Sequence, residues 1–185
     1  MASPEQPADK LLVAVQQNTA FISIQGRGSF KISAAMKEFA AAAIAQGCRR
    51  LVLDMADCVG MDSTFMGVLA GLAARLKSQA GGRIVMVNLS LRTRGLLTTL
   101  GLDQVIDPYM AGATPADLQP YVARRGDLSS LDTQEKSQRA TAETMLEAHE
   151  ALVQLSPENL PKFKDVLTFL REDLKKTGLD KPGTP

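Results

Sequence analysis

Apolar residues come in short runs along the first hundred positions, and their spacing switches between two periods. The runs "LLVAVQ" at 11–16 and "AFISI" at 20–24 are separated by "QNT"; in the second, Ile22 and Ile24 flank Ser23, as in a strand with one face on a core. Together they predict a hairpin. Beyond the loop "GRGS", Ile32, Met36, Phe39 and Ala43 fall at helical spacing, which predicts a helix from about Phe30 to Gln46 with Gly47 as its stop. "RLVLDM" at 50–55 reads as a buried strand, and a second helix spans about Thr64 to Gln79, closed by Gly81 and Gly82. "RIVMVN" at 83–88 is another buried strand, Ser90 caps a third helix through about Leu100, and "QVID" makes a last short strand. Strands alternating with helices require crossover connections. The order predicts an α/β fold with a mixed sheet, an opening antiparallel hairpin followed by parallel strands.

From Pro108 to Thr133 the periodicity dissolves into Pro, Gly, Asp and Ser, with a hint of a helical turn around Ala116 to Ala123, the pattern of a linker or docking segment. Two amphipathic helices follow. The first, about Gln134 to Leu155, carries Met145, Leu146, Ala148 and Leu152; the second presents Phe163, Val166, Leu167, Leu170 and Leu174 on one stripe. Between them "SPENLP" punctuates twice, and Pro161 places the start of the second helix near Asn159. The expected organisation is a domain over 1–112, a linker or docking segment over 113–132, a helical hairpin over 133–178 and a tail over 179–185.

Composition narrows the function classes. With 21 basic and 20 acidic side chains the net charge is +1, which offers no electrostatic case for nucleic-acid binding. The opening "MASPEQPADK" lacks the basic start and apolar core of a secretory signal, and the Ala-rich run from Phe39 to Ala45 is too short to span a membrane. Cys48, Cys58 and the sole histidine, His149, make neither a disulfide framework nor a metal site, so no cofactor is expected and a cytoplasmic setting follows.

The stretch "GMDSTFMGVLAGL" at 60–72 carries the candidate chemistry, because it ends an apolar strand, spends an acid and two hydroxyls, and enters an oily helix. Helix capping accounts for one polar residue there, Asp62 or Ser63. A nucleophile elbow needs G-x-S-x-G and a nearby imidazole, yet His149 lies in the appended helices. A phospho-aspartate receiver built on Asp54 needs an acid pair after the first strand and a lysine after the last, and neither is present. The spacing of Asp54, Asp57 and Asp62 matches no calcium loop. Phe65 and Met66, at helical spacing with Leu69, Leu72 and Leu76, read as core, or as partner contacts if exposed. Gly67 and Gly71 suggest close approach of the helix to the sheet.

In order, "LVLDMADCVGMDSTFMGVLAGL", the "GRGSF" turn, "RIVMVNLS" and "LLTTLGLDQVI" resemble the STAS family, the anti-sigma-factor-antagonist domain, over residues 11 to about 110. The resemblance implies a non-catalytic, cytoplasmic regulator. Its partners would be an anti-sigma factor with serine kinase activity and a serine/threonine phosphatase. Asp62 resembles the family aspartate, Ser63 its first hydroxyl, Thr64 the phosphoacceptor with Ser63 as the alternative, and Gly67 the closing glycine; Phe65 stands where the family has a further glycine. Partner contacts are expected at Asp62, Ser63, Thr64, Phe65 and Met66, with Arg27 and Lys31 nearby. The alternative is a STAS subunit of another assembly, such as a lipid-transport ATPase complex, with no phosphate cycle. A third reading is a scaffold, in which the stripe from Phe163 to Leu174 pairs two copies into a homo-oligomer rather than folding back.

Overall fold

The computed structural model describes Glu5 and residues 8–179. Seven strands and six helices are formed among them: β1 (Lys10–Gln16), β2 (Thr19–Gly28), α1 (Phe30–Ala45), β3 (Arg50–Asp54), β4 (Cys58–Met61), α2 (Ser63–Lys77), β5 (Arg83–Leu89), α3 (Leu91–Thr99), β6 (Ile106–Met110), α4 (Gln119–Ala123), β7 (Ser129–Ser130), α5 (Gln138–Leu155) and α6 (Leu160–Leu179). Most of the opening "MASPEQPADK" before Ala8, and of the expected tail, falls outside the described residues.

The strand order is β6-β5-β3-β2-β1-β7, with β4 pairing the far end of β2 off this path. β1 and β2 pair antiparallel, with Leu11 opposite Ile24 and Val13 opposite Ile22, while β2, β3, β5 and β6 run parallel. The predicted α/β architecture with an antiparallel opening and a parallel remainder is therefore the fold. Two differences have local causes. β6 continues through Pro108 where the sequence pattern ends, because it is an edge strand and proline's missing N–H costs least there. β4 was not expected, since four residues within a polar loop carry no readable period.

Both faces of the sheet are covered, which explains the continuous apolar runs in β3 and β5. On one face Ile22, Ile24, Leu51, Leu53, Ile84 and Met86 pack beneath α1 and α2 in a single cluster. On the other, Phe21, Val52, Val85 and Val87 meet Leu118, with Tyr109, Tyr121, Val122 and Leu128 around them. Phe21 and Tyr121 stack with ring centroids 4.5 Å apart. The Pro- and Gly-rich stretch thus docks on the back of the sheet, and β7 pairs Ser129 and Ser130 with Val13 and Leu12.

The C-terminal helices fold back over α2. Ala148 and Leu152 of α5 are buried in the main cluster, Leu167 and Leu170 of α6 are buried, and Phe163 packs partly against the same core. Asn159, only 1% exposed, donates from Nδ2 to the carbonyls of Leu100 (3.0 Å) and Leu152 (2.9 Å). It thereby ties the turn between α5 and α6 to the end of α3. None of the helices formed by the described residues is long and apolar enough to cross a membrane.

Candidate functional site

The site is built where β4 delivers the chain to α2. Parallel pairing of Arg27 with Gly60 and Gly28 with Met61 lays the end of β4 beside the end of β2, so Asp62 emerges next to the first turn of α1. Its N–H donates to the Gly28 carbonyl at 2.9 Å. Its carboxylate then serves both helices: Oδ1 accepts from the Phe65 N–H at 2.9 Å, capping α2, and Oδ2 accepts from the Phe30 N–H at 2.7 Å, at the start of α1. Two orphan helix-end donors are satisfied by one side chain.

Removing the carboxylate tests this arrangement. Asp62→Ala loses the α2 cap, worth about 1 kcal/mol, and leaves the Phe30 N–H to water, for a total of about 2 kcal/mol. A fall of about 4–8 °C in the thermal midpoint, followed by circular dichroism, is expected. An unchanged midpoint would mean that the bridge contributes nothing to stability.

The residues after Asp62 differ sharply in access. Ser63 is half-buried, Thr64 is 5% exposed, Phe65 is wholly buried and Met66 is 4% exposed. Phe65 belongs to the core as its helical spacing suggests, and its ring occupies the space beside Gly28, where an added Cβ would lie 2.8 Å from a ring carbon. In this arrangement neither Phe65 nor Met66 is open to a partner. Arg27 and Lys31 are exposed and line a groove with Phe30, Met145 and Phe169, on the side of α1 that Asp62 joins to α2.

The least foreseeable contact joins Ser63 to His149. Ser63 Oγ lies 2.9 Å from Nε2 of His149, while Nδ1 lies 2.6 Å from the Met145 carbonyl. A carbonyl can only accept, so Nδ1 carries a proton, and in the neutral ring Nε2 accepts from the Ser63 hydroxyl. His149 is 4% exposed and packs edge-on against Phe163 at 5.0 Å. The sequence pattern had kept this imidazole apart from the serine; α5 brings them together across 86 positions. A backbone carbonyl, not a carboxylate, orients the ring.

Gly67 corrects a second expectation. It faces α5 rather than the sheet: an added Cβ would sit 2.2 Å from the Ala148 carbonyl oxygen and 2.7 Å from the Ala148 Cβ. Ser63, Gly67 and Gly71, at intervals of four, form one stripe of α2, and α5 lies along it. At the end of β3, Asp54 accepts from Asn88 Nδ2 at 2.9 Å and from the Ala56 N–H at 3.1 Å. Both cysteines are buried, which pushes their thiols up from the ordinary range; the Cys58 thiol donates to the Gly60 carbonyl at 3.3 Å. No group of three or more His, Cys, Asp or Glu among the described residues is placed to hold a metal ion.

The family model described as "Mlab, STAS domain" matches residues 11–108, just over half of the chain, and the protein belongs to the STAS-domain family. No curated protein matches it. Among solved structures, an anti-sigma factor antagonist from Mycobacterium paratuberculosis is 20% identical with a TM-score of 0.51, covering 67% of this chain and 99% of that one. A protein described as an anti-sigma factor antagonist from Thermotoga maritima is 15% identical with a TM-score of 0.50, covering 60% of this chain and 92% of that one. These likenesses establish the fold. They take in nearly all of each solved chain yet leave a third or more of this one unmatched, and α5 and α6 lie beyond the family match.

Proposed function

We propose that the protein is an anti-sigma factor antagonist-like regulator that works by partner switching, without catalysis of its own. The observation that carries this reading is the sequence Asp62-Ser63-Thr64 opening α2 beside the ends of β2 and β4, with Asp62 locking the two helix starts together. The unmodified α2 face would bind an anti-sigma factor with serine kinase activity, Thr64 would accept the phosphate with Ser63 as the alternative, and a serine/threonine phosphatase would reset the cycle. A phosphate in the first turn of α2 would gain from the helix dipole at that end, while the cover over buried Thr64 would have to move to admit it. About −1.5 to −2 of added charge next to Asp62 opposes an acidic or apolar partner surface.

A second reading has its own support. The matching family model carries the Mlab description, and Thr64 is buried. These favour a STAS subunit of another assembly, such as a lipid-transport ATPase complex, in which the hydroxyls make plain contacts.

Phosphopeptide mass spectrometry on the protein from its own host separates the two. Cleavage after Arg50 and Arg75 releases Leu51–Arg75, whose only hydroxyl side chains are Ser63 and Thr64. Phosphate on Thr64 that varies with growth state is the expected result. An unmodified peptide under every condition, with an ATPase subunit co-purifying, would transfer the assignment to the second reading.

A further inference from the structure

The face of α2 that carries Ser63 is occupied by the protein itself. Its stripe of Ser63, Gly67 and Gly71 is met by His149, Ala148 and Ala151 of α5. The seam brings small residues together beside one serine–histidine hydrogen bond, and wholly buried Leu152 is its main apolar anchor. Lys37–Glu147 joins α1 to α5 and Lys136–Glu38 joins the connection before α5 to α1, both exposed ion pairs that contribute little.

Beneath the seam lies the larger share of the main cluster, to which α5 adds Ala148 and Leu152. Phe65, Leu69, Leu72 and Leu76 of α2 are buried with the apolar residues of α1 and the strands. The connection from β7 to α5, "LDTQEKS" at 131–137, is polar, mostly exposed and without helix or strand, as befits a tether.

We propose that the α5–α6 hairpin is a detachable cap, held in cis over the Ser63 stripe, that gates the partner face of α2. This rests on the reading of that face as the partner site. The closed state is the one described above. In the open state the stripe would accept a helix of the same chemistry as α5: small residues four apart, a hydrogen-bond partner for Ser63 and an acidic flank for Lys37. Transfer of the terminal phosphoryl group of a nucleoside triphosphate to Ser63 Oγ, with the diphosphate leaving and the hydroxyl proton released, would remove the donor to His149 and add bulk within 2.9 Å of the ring, so modification and docking would compete.

Hydrogen exchange on the full chain tests the cap. Local opening predicts that amides of α5 exchange at least about tenfold faster than those of β3 and β5. Gly67→Ala, whose new Cβ strikes the Ala148 carbonyl, should speed α5 and α6 exchange by about a hundredfold more while leaving β3 and β5 within about threefold. In that background the Ser63→Cys thiol should be alkylated at least about tenfold faster than in the unwedged chain. As the converse, Gly71 and Ala151 are suited to a cross-link, since an added Cβ at 71 lies 3.9 Å from that of 151. Oxidised Gly71→Cys/Ala151→Cys should slow α5 to the rate of the strands.

Exchange of α5 in step with β3 in the native chain, or loss of strand protection together with α5 on wedging, would make the hairpin an inseparable part of the fold and overturn the cap. Unchanged α5 protection in Gly67→Ala, equal alkylation rates, or α5 exchange that the cross-link does not slow would do the same. No readout contains a partner or a phosphate. Failure of the regulator reading would leave them intact, and failure of the cap would leave phosphorylation of α2 open to its own test.

Discussion

Leu152→Ala is expected to lower the thermal midpoint by about 6–12 °C, the largest stability effect of any single truncation in the hairpin. Leu152 is wholly buried in the main cluster, and removing a buried leucine side chain costs about 3 kcal/mol once the cavity left behind is included. Few other side chains can absorb the loss, because the neighbouring contacts along the seam are made by alanine and glycine. The backbone at the same point is also in use: the Leu152 carbonyl accepts from Asn159 Nδ2 and from the Ser156 N–H at 3.1 Å. A loosened α5 therefore strains the turn into α6. Calorimetry measures the midpoint, and a change below about 1 °C would show that the hairpin is not anchored through this residue.

That anchoring also explains how much the sequence could reveal. Strands β3 and β5 announced themselves because both faces are covered, so every position in the run is apolar. The start of α2 was legible for a local reason too, since an acid before an apolar helix is a cap and Asp62 is one. What escaped was non-local. The second acceptor role of Asp62, toward Phe30, depends on β4 lying beside β2, and four residues of β4 show no alternation. The partnership of Ser63 with His149 spans 86 positions and follows from no period. Gly67 signalled close approach correctly but not its partner; the clue, in retrospect, is that Ala148 and Ala151 repeat small residues on the face of α5 opposite Gly67 and Gly71.

Thr64→Glu is expected to bind the anti-sigma factor about a hundredfold to a thousandfold more weakly than Thr64→Ala, a difference of roughly 3–4 kcal/mol, if α2 is the switch surface. The burial of Thr64 sharpens this expectation. A side chain 5% exposed has no water of its own, so a carboxylate placed there must either draw on the helix N-terminus or push its cover aside. Alanine at the same position adds no charge and fits the space, so binding should persist. The Ser63 pair supplies the control: Ser63 is half-buried and already hydrogen-bonded to His149, and glutamate there would disturb α5 before any partner arrives. Isothermal titration with Thr64→Glu, Thr64→Ala and Ser63→Glu, each first checked for native circular dichroism, distinguishes the cases. Loss confined to Thr64→Glu assigns the switch to Thr64, loss confined to Ser63→Glu assigns it to Ser63, and equal affinity throughout would remove phosphate control from this surface. That last outcome would leave α2 as a plain docking helix, and the buried threonine as part of its packing.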